Sequence, residues 1–133
     1  MAGRAVLRAG VAALAVVELA IGAWELLAPR SFYSSFPAGR DWVQALGPYD
    51  SHLMTDVGEL TLALGVLLAL AAVWFERRLV QAALIAYLVY AVPHLVFHAI
   101  HRDHLSAADN AGNLATLGLA VLVPAVLLWL SRR

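Results

Sequence analysis

"HLMTDVGELTLALGVLLALAAVWFERRLVQAALIAYLVYAVPHLVFHAIH", residues 52–101, decides the fold, because only the charged triplet "ERR" separates its two long apolar runs. Each run has about 20 or more residues, which is enough to cross a hydrocarbon core of about 30 Å at 1.5 Å per residue. So short a connection joins antiparallel neighbours. The segment therefore predicts a hairpin of two transmembrane helices.

The composition of the whole chain also indicates a membrane protein. Of its 133 residues, 62% are hydrophobic and 14% are charged, and the mean hydropathy is +0.78, whereas a soluble domain is about a quarter charged. The net charge is zero and the basic residues are all Arg without a basic run, which argues against a nucleic-acid partner. The absence of cysteine excludes disulfides, thiolate metal sites and cysteine nucleophiles.

Two further apolar runs extend the hairpin to four helices in a single domain, residues 1–133. The predicted helices cover residues 5–28, 52–75, 79–101 and 109–130, with one long loop at residues 29–51. Residues 60–75 and 111–130 contain no charged side chain, which argues against a soluble four-helix bundle. Glu18 interrupts the first run, which argues against a cleaved signal peptide. We predict an all-α, polytopic membrane protein in contact with the lipid bilayer, built as an antiparallel bundle of four transmembrane helices.

The arginines predict the orientation of the bundle. Those on one side are Arg4, Arg8, Arg77, Arg78, Arg132 and Arg133, and those on the other are Arg30, Arg40 and Arg102. By the positive-inside rule, both termini are cytoplasmic and the long loop is extracytoplasmic. The Ala- and Arg-rich composition without Lys suggests a bacterial cytoplasmic membrane. Within the loop, "DWVQAL" at residues 41–46 predicts a short interfacial helix capped by Asp41.

Polar residues within the predicted helices are spaced by four and then three positions, so that each set lies on one helical stripe. The sets are Glu18, Gly22 and Glu25; His52, Asp56 and Glu59; His94, His98 and His101; and Asp109, Asn113 and Thr116. All four sets belong to the extracytoplasmic halves of their helices. We predict one shared polar interior above an apolar cytoplasmic base.

Two of the histidines suggest a metal site in this interior. His94 and His98 are four residues apart and can face one cation, while neighbouring helices supply carboxylates. Imidazole with carboxylate suits Zn, Fe, Cu or Mn. Ionisable groups deep in a membrane cost at least about 2.5–3.5 kcal/mol and usually mark function. The predicted metal ligands are His94, His98, Glu59, Asp56 and Glu18, and the predicted substrate-binding residues are Tyr90, His52, Asn113 and Trp42.

Three other polar residues are interpreted as structural. Glu25 lies near the predicted interface, where its carboxylate reaches water, and Asp109 is a candidate N-cap of the last helix. Tyr87 extends the histidine stripe and is interpreted as a packing residue with a satisfied hydroxyl.

The segments "LAPRSFYSSFP", "HLMTDVGELTLALGVLL" and "VPHLVFHAIHRDH" resemble small four-helix membrane proteins of actinobacteria that are loosely similar to the DoxX-like superfamily. The resemblance covers nearly the whole chain. It implies the four-span architecture and an association with redox or quinone-linked partners, and it implies no catalytic residue.

The predicted function is metal binding, with chemistry on a lipid-soluble or quinone-like substrate left open. One alternative is a proton- or ion-coupled carrier, in which the acidic residues and histidines relay charge. Such a relay needs polar residues that continue to the cytoplasmic side, and here they stop halfway along the helices. The other alternative is an accessory subunit that docks a larger membrane partner, and a homo-oligomer is also open.

Overall fold

The computed structural model describes residues 2–132, and the regular structure in this range is entirely helical. Its elements are α1 (Ala2–Leu27), α2 (Pro29–Ser35), a single 3-10 turn η1 (Gln44–Leu46), α3 (Ser51–Trp74), α4 (Arg77–Ile100) and α5 (Ala107–Ser131). The long helices α1, α3, α4 and α5 are all apolar enough to cross a membrane. The all-α, four-span fold predicted from the sequence is confirmed, with helix bounds shifted by a few residues.

Local signals set the ends of the central hairpin. The Asp50 side chain accepts hydrogen bonds from the backbone N–H groups of His52 and Leu53, at 2.9 and 3.1 Å, and so caps the start of α3. At the other end, Phe75 takes a left-handed conformation with φ of 53°, which ends α3. Phe75 and Glu76 then turn the chain into α4.

The bundle consists of two closely packed helix pairs. The most extensive interface joins α1 to α3, the next joins α4 to α5, and the two pairs meet over shorter stretches. Glycines allow the first interface: a Cβ atom at Gly22 would lie 2.5 Å from the Leu62 nitrogen, and one at Gly65 would lie 2.8 Å from the Leu19 nitrogen. Small residues of this kind let helix backbones approach closely in membranes, where van der Waals packing drives association.

The apolar core lies toward one end of the bundle, which we call the terminal end because α1 begins there and α5 ends there. Its fully buried side chains include Val11, Leu68, Val80 and Leu84. The opposite end, which carries residues 28–50 and the connection between α4 and α5, is called the loop end. Among the buried polar residues, Ser131 lies at the terminal end, whereas Glu18, Glu25, Thr61 and Asn113 lie between the apolar core and the loop end.

The long loop differs from the sequence prediction in two ways. It begins with α2, which was not predicted and which starts at Pro29, a residue type suited to the first turn of a helix. Phe32 of this helix is buried against the edge of Trp24, with ring centroids 5.4 Å apart. The helix predicted at residues 41–46 is reduced to η1, because Asp41 has a left-handed backbone (φ 51°) and provides no side-chain cap.

Candidate functional site

Polar side chains from all four long helices meet between the apolar core and the loop end, and all of them except Tyr90 are buried or half-buried. Glu18 and Glu25 of α1 are 4% and 5% exposed, which is unusual for carboxylates. We call the group the polar cluster, and its members are Glu18, Glu25, Thr61, Tyr87, Tyr90, His94, His98 and Asn113.

The two carboxylates of α1 form the centre of the polar cluster. They are seven residues apart, about two helical turns, and therefore lie on the same face and interact electrostatically. The hydrogen-bonding neighbour of Glu18 is the Tyr87 hydroxyl, and that of Glu25 is the Thr61 hydroxyl. Among the residues that the structure describes, the buried Oε2 atom of Glu25 has no hydrogen-bond partner. Neither carboxylate forms an ion pair within residues 2–132.

The histidines extend the polar cluster from the carboxylates toward α5. The Asn113 amide nitrogen donates to His98 Nδ1 at 2.9 Å, so a neutral His98 carries its ring proton on Nε2. His94 Nδ1 and the Tyr90 hydroxyl are hydrogen-bonded at 3.0 Å. The two imidazoles stack with centroids 4.9 Å apart, and Tyr90 interacts electrostatically with Glu18 and Glu25.

The five predicted metal ligands are not brought together. Asp56 and Glu59 lie on the exposed face of α3, where Asp56 bonds to His52 at 3.0 Å, rather than beside the two histidines of α4. The buried face of α3 carries Gly58 and Thr61 instead. Each residue turns the helix by about 100°, so the residue after Gly58 points away from α1. Close packing of small residues, and not the polar stripe, decides which face of α3 is buried.

The histidine geometry bears on the same metal prediction. The rings of His94 and His98 are inclined by only 21°, so their in-plane lone pairs run side by side and do not converge on one point. Across the described part of the chain, no three His, Asp or Glu residues are grouped closely enough to hold a metal ion. A site for Zn, Fe, Cu or Mn therefore stays a prediction, and elemental analysis of untagged protein tests it directly.

The predicted substrate-binding residues have three different environments. Tyr90 and Asn113 belong to the polar cluster, and His52 is exposed at the start of α3. Trp42 lies in the long loop, where its indole Nε1 donates to Asp109 Oδ1 at 2.9 Å. Arg40 forms a 2.6 Å ion pair with the same oxygen. These two contacts hold the long loop against the start of α5.

Asp109 is therefore an anchor for the loop. The N-cap of α5 is Ser106, whose hydroxyl oxygen accepts a hydrogen bond from the Asp109 backbone N–H at 3.1 Å. The Ser106 hydroxyl in turn donates to Asp109 Oδ2 at 2.7 Å. The interpretation of Asp109 as the N-cap is therefore corrected: Asp109 lies three residues after the N-cap Ser106, in the first turn of α5.

An apolar cleft opens on the side of the bundle between α3 and α4, where these helices touch only over a short stretch. Its volume is about 280 Å³, near the lower end of ligand-binding pockets, which begin at about 300 Å³. It is lined by Val57, Leu60, Thr61, Leu64 and Tyr90. Because Thr61 and Tyr90 also belong to the polar cluster, the inner wall of the cleft adjoins the buried carboxylates.

Comparisons of the chain with protein-family models, curated proteins and solved structures find no match. The resemblance to DoxX-like proteins therefore stays a prediction. The candidate site is defined by its own geometry: an apolar cleft on the side of the bundle, with an acidic polar cluster behind it.

Sequence reasoning did not assign two members to this site: Glu25 was interpreted as an interfacial residue, and Thr61 was not considered. The interpretation of Tyr87 as a packing residue with a satisfied hydroxyl is confirmed, because Tyr87 is buried in the core and bonds to Glu18. The signals for Glu25 and Thr61 were nevertheless present. Glu18 and Glu25 are seven residues apart on one face, and Thr61 lies between Gly58 and Gly65 on the small-residue face of α3.

Proposed function

We propose that this multi-pass membrane protein binds a lipid-soluble molecule that enters from the bilayer through the cleft between α3 and α4. The alkyl part of the ligand lies against Val57, Leu60 and Leu64, and its polar group points toward Glu25. The supporting observation is the buried Oε2 atom of Glu25, which has no hydrogen-bond partner among residues 2–132. The same carboxyl group bonds to Thr61, and Thr61 lines the apolar cleft.

The polar group of the ligand is a hydrogen-bond donor. A buried acceptor without a partner costs about 1–3 kcal/mol, and more when it is charged, so a ligand hydroxyl or ammonium that reaches Glu25 removes this cost. Alcohols, quinols and amines with an alkyl tail meet the description. Within this class, the resemblance to DoxX-like proteins favours a quinol.

We test the proposed binding by thermal unfolding in phosphatidylcholine nanodiscs. 1-Decanol and decylamine both carry a donor, whereas decyl methyl ether has the same alkyl chain and lacks one. A ligand at about 100 times its Kd stabilises the folded state by about 2.7 kcal/mol, which raises the Tm by several degrees. We expect this rise with the alcohol or the amine and not with the ether.

A cleft-filling variant provides the control for bilayer effects. Leu64→Trp places an indole in the cleft and should abolish the rise in Tm, whereas Leu119→Trp, at an exposed position of α5, should preserve it. Equal shifts with all three compounds, or equal shifts in both variants, would show that the compounds act through the bilayer and would contradict the proposal.

We also propose the orientation that the arginines indicate, in a bacterial cytoplasmic membrane with the loop end outside. The chain contains no cysteine, so a single introduced cysteine supplies the one thiol that the reagent can label. Ser34→Cys in α2 and Arg78→Cys at the terminal end both introduce thiols at exposed positions. An impermeant maleimide added to whole cells should label only the first, and labelling of only the second would reverse the orientation.

The buried apolar core argues against the carrier alternative. A carrier needs a polar path through the bundle, and the fully buried Leu68 and Leu84 lie between the polar cluster and the terminal end. An accessory subunit needs a docking surface, and this role stays an open alternative because a partner would meet Asp56 and Glu59 on the exposed face of α3.

A further inference from the structure

A second cavity lies at the terminal end of the bundle, away from the polar cluster. Its volume is about 370 Å³, and Arg4 of α1 and Arg77 of α4 line it together with apolar side chains. The apolar part of its wall consists of Leu7, Phe75, Val80 and Leu130. We call it the basic cavity. Its cationic groups complement the anionic headgroup of a phospholipid, and its apolar side chains complement the acyl chains.

Within residues 2–132, the guanidinium groups of the basic cavity have no acidic partner. Arg4 lies over the Phe75 ring at 5.6 Å, and Arg77 donates one hydrogen bond to the Arg132 carbonyl oxygen at 2.7 Å. Neither takes part in the ion pairs found within residues 2–132. A guanidinium has five N–H donors, so most donors of both arginines remain for a ligand.

The surrounding charges favour an anion. Arg8, Arg78 and Arg132 lie at the same end of the bundle, and Arg8 Nε donates to the Ala72 carbonyl oxygen at 2.9 Å. Among the described residues, the acidic side chain at this end is Glu76, which is exposed. The terminal end therefore has a clear excess of positive charge around the cavity.

We propose that the basic cavity binds one anionic phospholipid, with the headgroup phosphate between Arg4 and Arg77 and an acyl chain against Leu7, Val80 and Leu130. Arginine pairs with phosphate through parallel hydrogen bonds, and basic pockets between transmembrane helices bind anionic headgroups. Inorganic phosphate could form the same hydrogen bonds with the arginines, but it has no acyl chain to contact the apolar wall. The site is independent of the ligand proposed for the cleft.

Native mass spectrometry of protein released from nanodiscs tests this site. In a mixture of phosphatidylcholine and phosphatidylglycerol, we expect one phosphatidylglycerol retained per chain. Arg4→Gln should lower this retention on the order of tenfold, because removing one cation near the membrane surface weakens anionic lipid binding. The Arg4 side chain contacts an aromatic ring and makes no hydrogen bond within the described residues, so its replacement leaves the fold intact.

Arg30→Gln is the matched control, because Arg30 also lies over an aromatic ring, that of Tyr49 at 4.6 Å, but at the loop end. It should retain phosphatidylglycerol as the unmodified chain does. Millimolar inorganic phosphate should not displace the lipid. Equal losses in both variants would indicate nonspecific charge attraction, and displacement by phosphate would indicate a simple anion site; either result would overturn the proposal.

Discussion

Replacing Gly22 with alanine is expected to destabilise the bundle by about 1–3 kcal/mol, the usual cost of overpacking a well-packed interior. The added Cβ would lie 2.5 Å from the Leu62 nitrogen and 2.9 Å from its Cα. These are backbone atoms of α3, so the two helices must separate along their whole contact to make room. Thermal or chemical unfolding in detergent measures the change.

Gly118→Ala provides the matched control for this substitution. A Cβ at Gly118, in the middle of α5, meets no atom within 4 Å. Alanine also has a higher helix propensity than glycine by about 1 kcal/mol, so this variant should be as stable as the unmodified chain or more stable. If Gly22→Ala were equally stable, the close approach of α1 and α3 would be wrong.

The second large effect is expected at Glu25, where glutamine should stabilise the ligand-free protein by about 1–3 kcal/mol. The Glu25 side chain is buried with one oxygen unpartnered, and a neutral amide costs less to bury than a carboxylate. A binding site often retains such a costly group because its ligand needs it. Glu25→Gln should therefore gain stability and lose the additional stabilisation by 1-decanol or decylamine.

Glu59→Gln serves as the control for this gain. Glu59 is also a carboxylate in the loop half of its helix, but it lies on the exposed face of α3. We expect its replacement to change the Tm by much less and to leave ligand binding intact. If Glu25→Gln destabilised the protein while Glu59→Gln did not, the Glu25 carboxylate would already have a favourable partner. This result would contradict the proposal that a ligand supplies its hydrogen-bond donor.

The sequence was sufficient for the four long helices because length and apolar composition alone determine a membrane span. It was not sufficient for the buried face of α3. The polar stripe through Glu59 and the small-residue stripe through Gly58 and Thr61 are both regular, and only the contact with α1 decides between them. The predicted set of metal ligands depended on the first stripe.

The candidate site was predicted in part for the same reason. Glu18, Tyr90, His94, His98 and Asn113 come together because they lie on the inward faces of their helices. The cleft depends on the distance between α3 and α4. This distance cannot be predicted from the spacing of residues along the sequence.

The loop end shows a similar limit of sequence reasoning. The contacts that hold the long loop, from Arg40 and Trp42 to Asp109, join residues more than sixty positions apart. Helix propensity reflects only local sequence, and tertiary contacts of this kind override that propensity. The short helix expected at residues 41–46 was therefore reduced to one turn while Trp42 reached across to α5.

Photolabelling tests directly whether a lipid-soluble donor molecule occupies the cleft between α3 and α4. The probe is a decanol analogue that carries a diazirine in its alkyl chain, used in phosphatidylcholine nanodiscs, and the labelled residues are identified by peptide mass spectrometry. We expect labelling at the residues that line the cleft, namely Val57, Leu60, Thr61, Leu64 and Tyr90, and its loss when excess 1-decanol competes. If labelling were spread over exposed residues such as Leu119 and Val126 and the competitor did not reduce it, the result would contradict binding in the cleft.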